Sequence, residues 1–194
     1  MEHELTLQQK VDTFADELSL IFDAKIRYFT ELCLYMAPDY FFIDLPSSSS
    51  GKYHPIDELS WDGCIIHTKR VVTVAMDLCR GLGCEDNRDA IIAACIIHDL
   101  RKQGIKKSGH TLKNHPDLAA KLVKEVYQDV KSIDEETFNI IRNSVGYHYG
   151  PWSELKWKKP LAEYTPEELC VYLSDYVASK KTMNVIYQNR FSTV

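Results

Sequence analysis

The sequence carries seven histidines, and one of them, His98, is followed directly by Asp99. The pair closes an apolar run, Ala90-Ile91-Ile92-Ala93-Ala94-Cys95-Ile96-Ile97. Burying such a pair without partners costs on the order of several kcal/mol. Two arrangements offset that cost. In the structural one, His98 bonds a carbonyl and Asp99 caps a neighbouring turn. In the functional one, both side chains ligate a cation, for which buried imidazole and carboxylate are favourable donors. A His-Asp dipeptide alone does not decide between them. Four further residues of the same chemistry stand in telling contexts. His67 lies in Ile65-Ile66-His67-Thr68, and His115 lies in Asn114-His115-Pro116. His148 lies in Gly146-Tyr147-His148-Tyr149, and Asp175 lies in Leu173-Ser174-Asp175-Tyr176. Such donors select a borderline or hard divalent ion; manganese, iron, zinc, cobalt and nickel all fit.

Ligands so far apart in the chain need elements that converge. Leu7, Val11, Phe14, Leu18, Ile21 and Phe22 recur at helical spacing, and Ile26 to Met36 continue the stripe up to Pro38. This predicts helix over about 5–36, with a break near Asp23. Pro46, a run of serines, Gly51 and Pro55 predict a loop. That loop ends in Gly51-Lys52-Tyr53-His54-Pro55, a set able either to touch a ligand or to stay a surface linker. Helices follow over about 62–82 and 86–100, the second apolar all round and therefore central. Asn114 is the expected N-cap of the next helix, with Pro116 just inside it. Asp134 is expected to cap another that runs to about Tyr147, before Gly150-Pro151. Thr165-Pro166-Glu167-Glu168 starts a last helix, predicted to reach about Tyr187. No run alternates with a period of two, so the fold class is all-α. Each metal-capable residue then sits at a helix end or on a core-facing stripe, and several helices can each donate one ligand.

Composition narrows the class further. The chain has 194 residues, 45% of them hydrophobic, enough for one domain with a sizeable core. Six cysteines without CxxC spacing read as buried reduced thiols. The acidic start Met1-Glu2-His3-Glu4 does not resemble a signal peptide, and no apolar stretch is long enough to span a membrane. A cytoplasmic protein with no membrane partner is the expectation. The net charge of -5 favours a small phosphorylated molecule over a long nucleic acid as partner. Two local basic clusters remain candidates for a phosphate surface: Arg101-Lys102 with Lys106-Lys107, and Lys156 with Lys158-Lys159. Self-association into a homo-oligomer stays open.

The order H…HD…H…H…D resembles the HD-domain superfamily of metal-dependent phosphohydrolases over about residues 60–180. Ile96-Ile97-His98-Asp99-Leu100-Arg101-Lys102-Gln103-Gly104 is similar to that family's apolar-HDxxKxG segment. His115-Pro116-Asp117-Leu118-Ala119-Ala120 resembles its HPxxxA helix start. Leu173 to Ser179 resembles its terminal ADxxxS element. The resemblance implies a helical HD domain over 46–194, with 1–45 as an N-terminal helical segment packed on it. It implies a core metal site of His67, His98, Asp99 and Asp175. It further implies a second ion held by His115 and His148, with Asp99 bridging. His110 competes with His115 but lacks the helix-start context, while His3 reads as a surface residue.

The implied activity is cleavage of a phosphoester or pyrophosphate bond by a metal-activated water. Asp99 and Lys102 are the expected catalytic residues, Lys102 matching the family's lysine and facing the phosphate. Lys52, His54, Arg70, Tyr149 and Trp152 are the remaining candidates for binding substrate. Aromatics around the site, Tyr53, Trp61 and Tyr147 included, suit a nucleobase or serve packing. Two other activities occur in similar proteins. The Gly51-to-Thr68 stretch weakly resembles HD domains linked to 3′-to-5′ exoribonucleases, an exonuclease-like phosphodiesterase reading. A few superfamily members use the same ligands as diiron oxygenases. A non-catalytic sensor is the third class, and an intact ligand set argues against it.

Overall fold

In the computed structural model, which describes residues 5–48 and 51–181, the N-terminal hydrophobic stripe folds as three helices. They are α1 (Leu7–Thr13), α2 (Ala15–Ser19) and α3 (Ala24–Tyr35), followed by the short α4 (Tyr40–Ile43). Asp23 makes the expected break by accepting from the amides of Lys25 and Ile26. A second break, at Phe14, was not expected. Its ring is fully buried and packs near Phe41 and Phe42, so core packing overrides the continuous helical pattern. Phe22 leaves the predicted stripe and is exposed, lying against the Arg88 guanidinium.

The remaining helices are α5 (Gly63–Gly81), α6 (Arg88–Ile97), α7 (His115–Val130), α8 (Glu135–Tyr147) and α9 (Pro166–Ala178). Among the described residues these nine helices, linked by short 3₁₀ turns, occur without any strand. Every residue of α6 from Ala90 to Ile97 is buried. It is the central helix, packed by α3, α5, α8 and α9. One hydrophobic core runs from Phe14 in the N-terminal segment to Ala178 at the end of α9.

Asp134 caps α8 through the Thr137 amide, and Thr165 with Glu168 forms a capping box on α9. Two boundaries differ from expectation. Asn114 makes no side-chain cap; its backbone is already close to helical, so its side chain cannot reach back to the first turn. The last helix ends at Ala178 rather than near Tyr187, and residues from 182 onward lie outside the described part, as does His3.

The segment before α5 is tied down as well. Leu45 N donates to the Trp61 carbonyl, and Ser47 N donates to that of Glu58. A 3₁₀ turn, Ile56–Leu59, is pressed against the start of α5. The contact is so close that a Cβ at Gly63 would stand 1.9 Å from the Glu58 carbonyl oxygen. Glycine is therefore the residue that lets this turn seat.

All six cysteines are free and buried. The two basic clusters are largely neutralised by acids. Arg101 pairs with Glu125 and Lys107 with Asp44, while Lys156 pairs with Asp117 and Lys159 with Glu168. No described helix is long and apolar enough to cross a membrane.

Candidate metal centre

Three histidines enter the site from helix ends. His98 is the C-cap of α6, His148 is the C-cap of α8, and His115 is the first residue of α7. Each directs Nδ1 at the carbonyl three residues upstream: Cys95 at 2.7 Å, Leu112 at 2.7 Å and Val145 at 2.6 Å. Cys95 and Val145 carry the last carbonyls of α6 and α8, which lack an intrahelical partner and are free to accept, while Leu112 belongs to the turn that leads into α7. A neutral imidazole that donates from Nδ1 keeps a bare lone pair on Nε2. All three lone pairs then turn inward.

What they meet there is unusual for a protein interior. Nε2 of His115 and Nε2 of His148 stand 3.1 Å apart, acceptor to acceptor. Asp99 lies beside them, Oδ1 at 3.3 Å from His115 Nε2 and 3.8 Å from His148 Nε2. Its other oxygen, Oδ2, lies 3.4 Å from His98 Nε2 and 2.6 Å from Lys102 Nζ. His98 Nε2 and Asp99 Oδ1 are buried and have no hydrogen-bond partner. Burial pushes the imidazoles of His115 and His148 toward the neutral form, helped at His148 by its histidine neighbours, which brings its pKa to about 3. Burial works against the Asp99 carboxylate, yet the Lys102 ammonium holds it well below the usual range. Neutral imidazoles, an ionised carboxylate and orphaned buried acceptors are the donors a divalent cation requires.

His67 completes the set from inside α5. Its Nε2 lies 2.9 Å from Asp175 Oδ1, and its Nδ1 lies 3.2 Å from Glu58 Oε2. Burial opposes charge on this ring, but Asp175 and Glu58 outweigh it and raise its pKa to about 9. Donor atoms thus gather in three groups of metal-capable side chains among the described residues: His67 with His98 and Asp175, Asp99 with His115 and His148, and His67 again with His54 and Glu58. The six side chains that the ligand order singled out meet in one place.

Four of these residues, Asp99, His115, His148 and Asp175, line a cavity of about 580 Å³, while His67 and His98 are not on its wall. Lys102, His54, Tyr149 and Trp152 also line it, as do Tyr53 and Tyr176. Tyr149 packs edge-on against His115, with ring centroids 4.8 Å apart. Trp152 stacks on Tyr176 at 6.0 Å and 10°, and Lys180 Nζ sits 3.5 Å from the far ring's centroid. This aromatic pair is half exposed, Trp152 at 57%.

Other candidates lie elsewhere. Arg70 is not on the cavity wall; its guanidinium is bound by Asp57 and Glu58 beneath the site. Lys52 lies over the Tyr53 ring, off the wall. His110 is exposed and bonded locally to Ser108. Trp61 is exposed, and Tyr147 packs between Trp157 and Tyr164.

One buried residue of the site was missed by sequence reasoning. Glu58 is fully buried, with Oε2 2.7 Å from His54 Nδ1 and Oε1 accepting from Arg70 at 2.7 Å. Burial works against its carboxylate, but bonds from His54, His67 and Arg70 bring its pKa down to about 2. In the sequence it is one acid of an Asp-Glu pair in a loop, which normally means solvent. The available signal was indirect: a histidine inside a helix has no free carbonyl for its second nitrogen.

The HD domain family profile matches residues 64–180, which contain all six ligand candidates. The chain belongs to the HD-domain family. HD domains are all-α, bind divalent metals and are generally metal-dependent hydrolases. No curated protein and no solved structure matched the chain. The HD domain profile begins after Glu58, so this acid lies outside the matched span.

Proposed function

We propose that the protein is a metal-dependent phosphohydrolase that cleaves a phosphoester or pyrophosphate bond in a small nucleotide-like substrate. The observation that carries the reading is the meeting of orphaned, inward-facing donors beside an aromatic-rimmed cavity. His67, His98, Asp99 and Asp175 would hold one ion; Asp99, His115 and His148 would hold a second. Asp99 is suited to serve both because its two oxygens face different histidines. Divalent ions there would lower the pKa of a bound water and neutralise phosphoryl oxygens.

The chain's own groups supply the rest. Lys102 keeps a positive charge in the buried wall, because Asp99 raises its pKa against the effect of burial. A fixed cation next to the reacting group favours the charge that gathers on phosphoryl oxygens in the transition state. Trp152 and Tyr176 offer a flat platform at the rim, to which a nucleobase can stack whatever its sequence identity. The neutralised basic clusters, together with the acidic net charge, favour a mononucleotide-sized ligand over a polymer.

The test is a panel of nucleotides, dinucleoside polyphosphates and phosphodiesters assayed with each of several divalent ions under anoxic conditions. Phosphate or nucleotide release that stops on chelation and returns on adding metal is expected. Turnover that needs dioxygen would favour an oxygenase instead, and a metal-loaded protein inert on the whole panel would overturn the hydrolase reading.

A further inference from the structure

The histidines of the site are not held alike. His98, His115 and His148 each use a backbone carbonyl three residues upstream, so their tautomers follow from the local chain. His67 has no such option. It lies within α5, where the carbonyl three residues back already belongs to the helical ladder. The group facing its Nδ1 is a side chain, Glu58 Oε2, in ion-pair range at 3.2 Å, while Nδ1 itself is buried and makes no hydrogen bond.

Glu58 is itself fixed with care. It is fully buried in the 3₁₀ turn before α5. Arg70, one turn beyond His67 on the same helix, binds Glu58 Oε1 at 2.7 Å and also grips Asp57. His54 binds Oε2 from the cavity side at 2.7 Å. Gly63 lets the turn approach the helix backbone without a side chain between them. A buried carboxylate is costly unless paired and hydrogen-bonded, and these contacts are what keep it there.

We infer that Glu58 is the positioning residue for His67: when a metal takes Nε2, Glu58 is the carboxylate placed to accept the Nδ1 proton and fix the ring, and it is held in turn by Arg70. A carboxylate on the far nitrogen of a ligating histidine fixes ring orientation and raises donor strength. Arg70 therefore acts beneath the site rather than on substrate. The inference rests on the metal-centre reading above.

The probe is Zn²⁺, titrated into the full chain in competition with a chromophoric chelator. Wild type is compared with Glu58→Gln and Glu58→Ala. Affinity for one of the two ions should fall about 10- to 100-fold in Glu58→Ala. Glu58→Gln, which retains an acceptor oxygen, should fall between that and wild type. The other ion's affinity should stay unchanged, whereas a merely structural role would weaken both together and lower the melting temperature in proportion. A second readout needs no variant at 58. In ¹⁵N-histidine spectra of the zinc-loaded wild type, assigned with His67→Gln, the His67 Nδ1 proton should be present and slow to exchange. A folded Glu58→Ala protein with wild-type affinity at both ions overturns the inference, as does a His67 Nδ1 without a protected proton. Should Glu58→Ala not fold, the wild-type spectrum decides alone. A wild type that binds no zinc or any other divalent ion would instead overturn the metal centre, and this inference with it.

Discussion

Two of the donor groups, joined through His98 and Asp99, are assembled by different means. Asp99, His115 and His148 are organised locally, because both imidazoles lean on carbonyls of their own chain segment. His67 and Asp175 come from two helix interiors, α5 and α9, and His67 leans on a carboxylate from a preceding turn. In the local group each ring is oriented by its own segment, and the packing of α6, α7 and α8 only has to bring the segments together. The distributed group needs α5, α9 and the 55–59 turn to pack correctly before its geometry exists. Carbonyls at helix ends and in the turn before a helix are thus a low-cost way to fix an imidazole, since they have no place in a helical ladder. A ligand in mid-helix demands a dedicated polar partner from elsewhere in the fold.

Asp99 joins the two groups, and its removal should have the largest effect. Asp99→Ala is expected to lose both ions and to cut turnover on the order of a thousand-fold or more. Elemental analysis, turnover and far-ultraviolet circular dichroism check this. Survival of either ion with native helicity would show that the groups are independent.

His148→Ala should separate them. Bound metal should drop from about two ions to about one per chain, with the His67, His98 and Asp175 group retained. Unchanged stoichiometry would make the centre mononuclear and leave the local group without a metal role. The smallest effect is expected where neither group is touched. Trp152→Ala removes half of the aromatic platform and should raise KM for a nucleotide about tenfold, with kcat nearly unchanged. An equal loss on a phosphate ester lacking a base would break the stacking assignment.

The same contrast governs what could be read from the sequence. His98, His115 and His148 were visible because each borders a helix signal: the end of an apolar run, a proline at a helix start, a glycine after a helix end. His67 and Asp175 were visible only as polar residues on apolar stripes, and their partnership depends on α5 lying against α9. Glu58 carried no periodic signal, since loop residues are placed by tertiary contacts alone. Arg70 shares the helix face of His67, which suits a substrate contact and an ion-pair partner equally, and the structure pairs it with Asp57 and Glu58. The helices themselves followed from hydrophobic spacing. The exceptions were the break at Phe14, where aromatic packing prevails, and the end of the last helix at Ala178.

The hydrophobic core draws on Phe14, Phe29 and Phe41 as much as on α6. These residues and Glu58 all precede the stretch that matches the family. A fragment trimmed to that stretch would expose an aromatic seam to water and remove the carboxylate that faces His67. The stretch that carries the family pattern is therefore narrower than the unit that packs as one core.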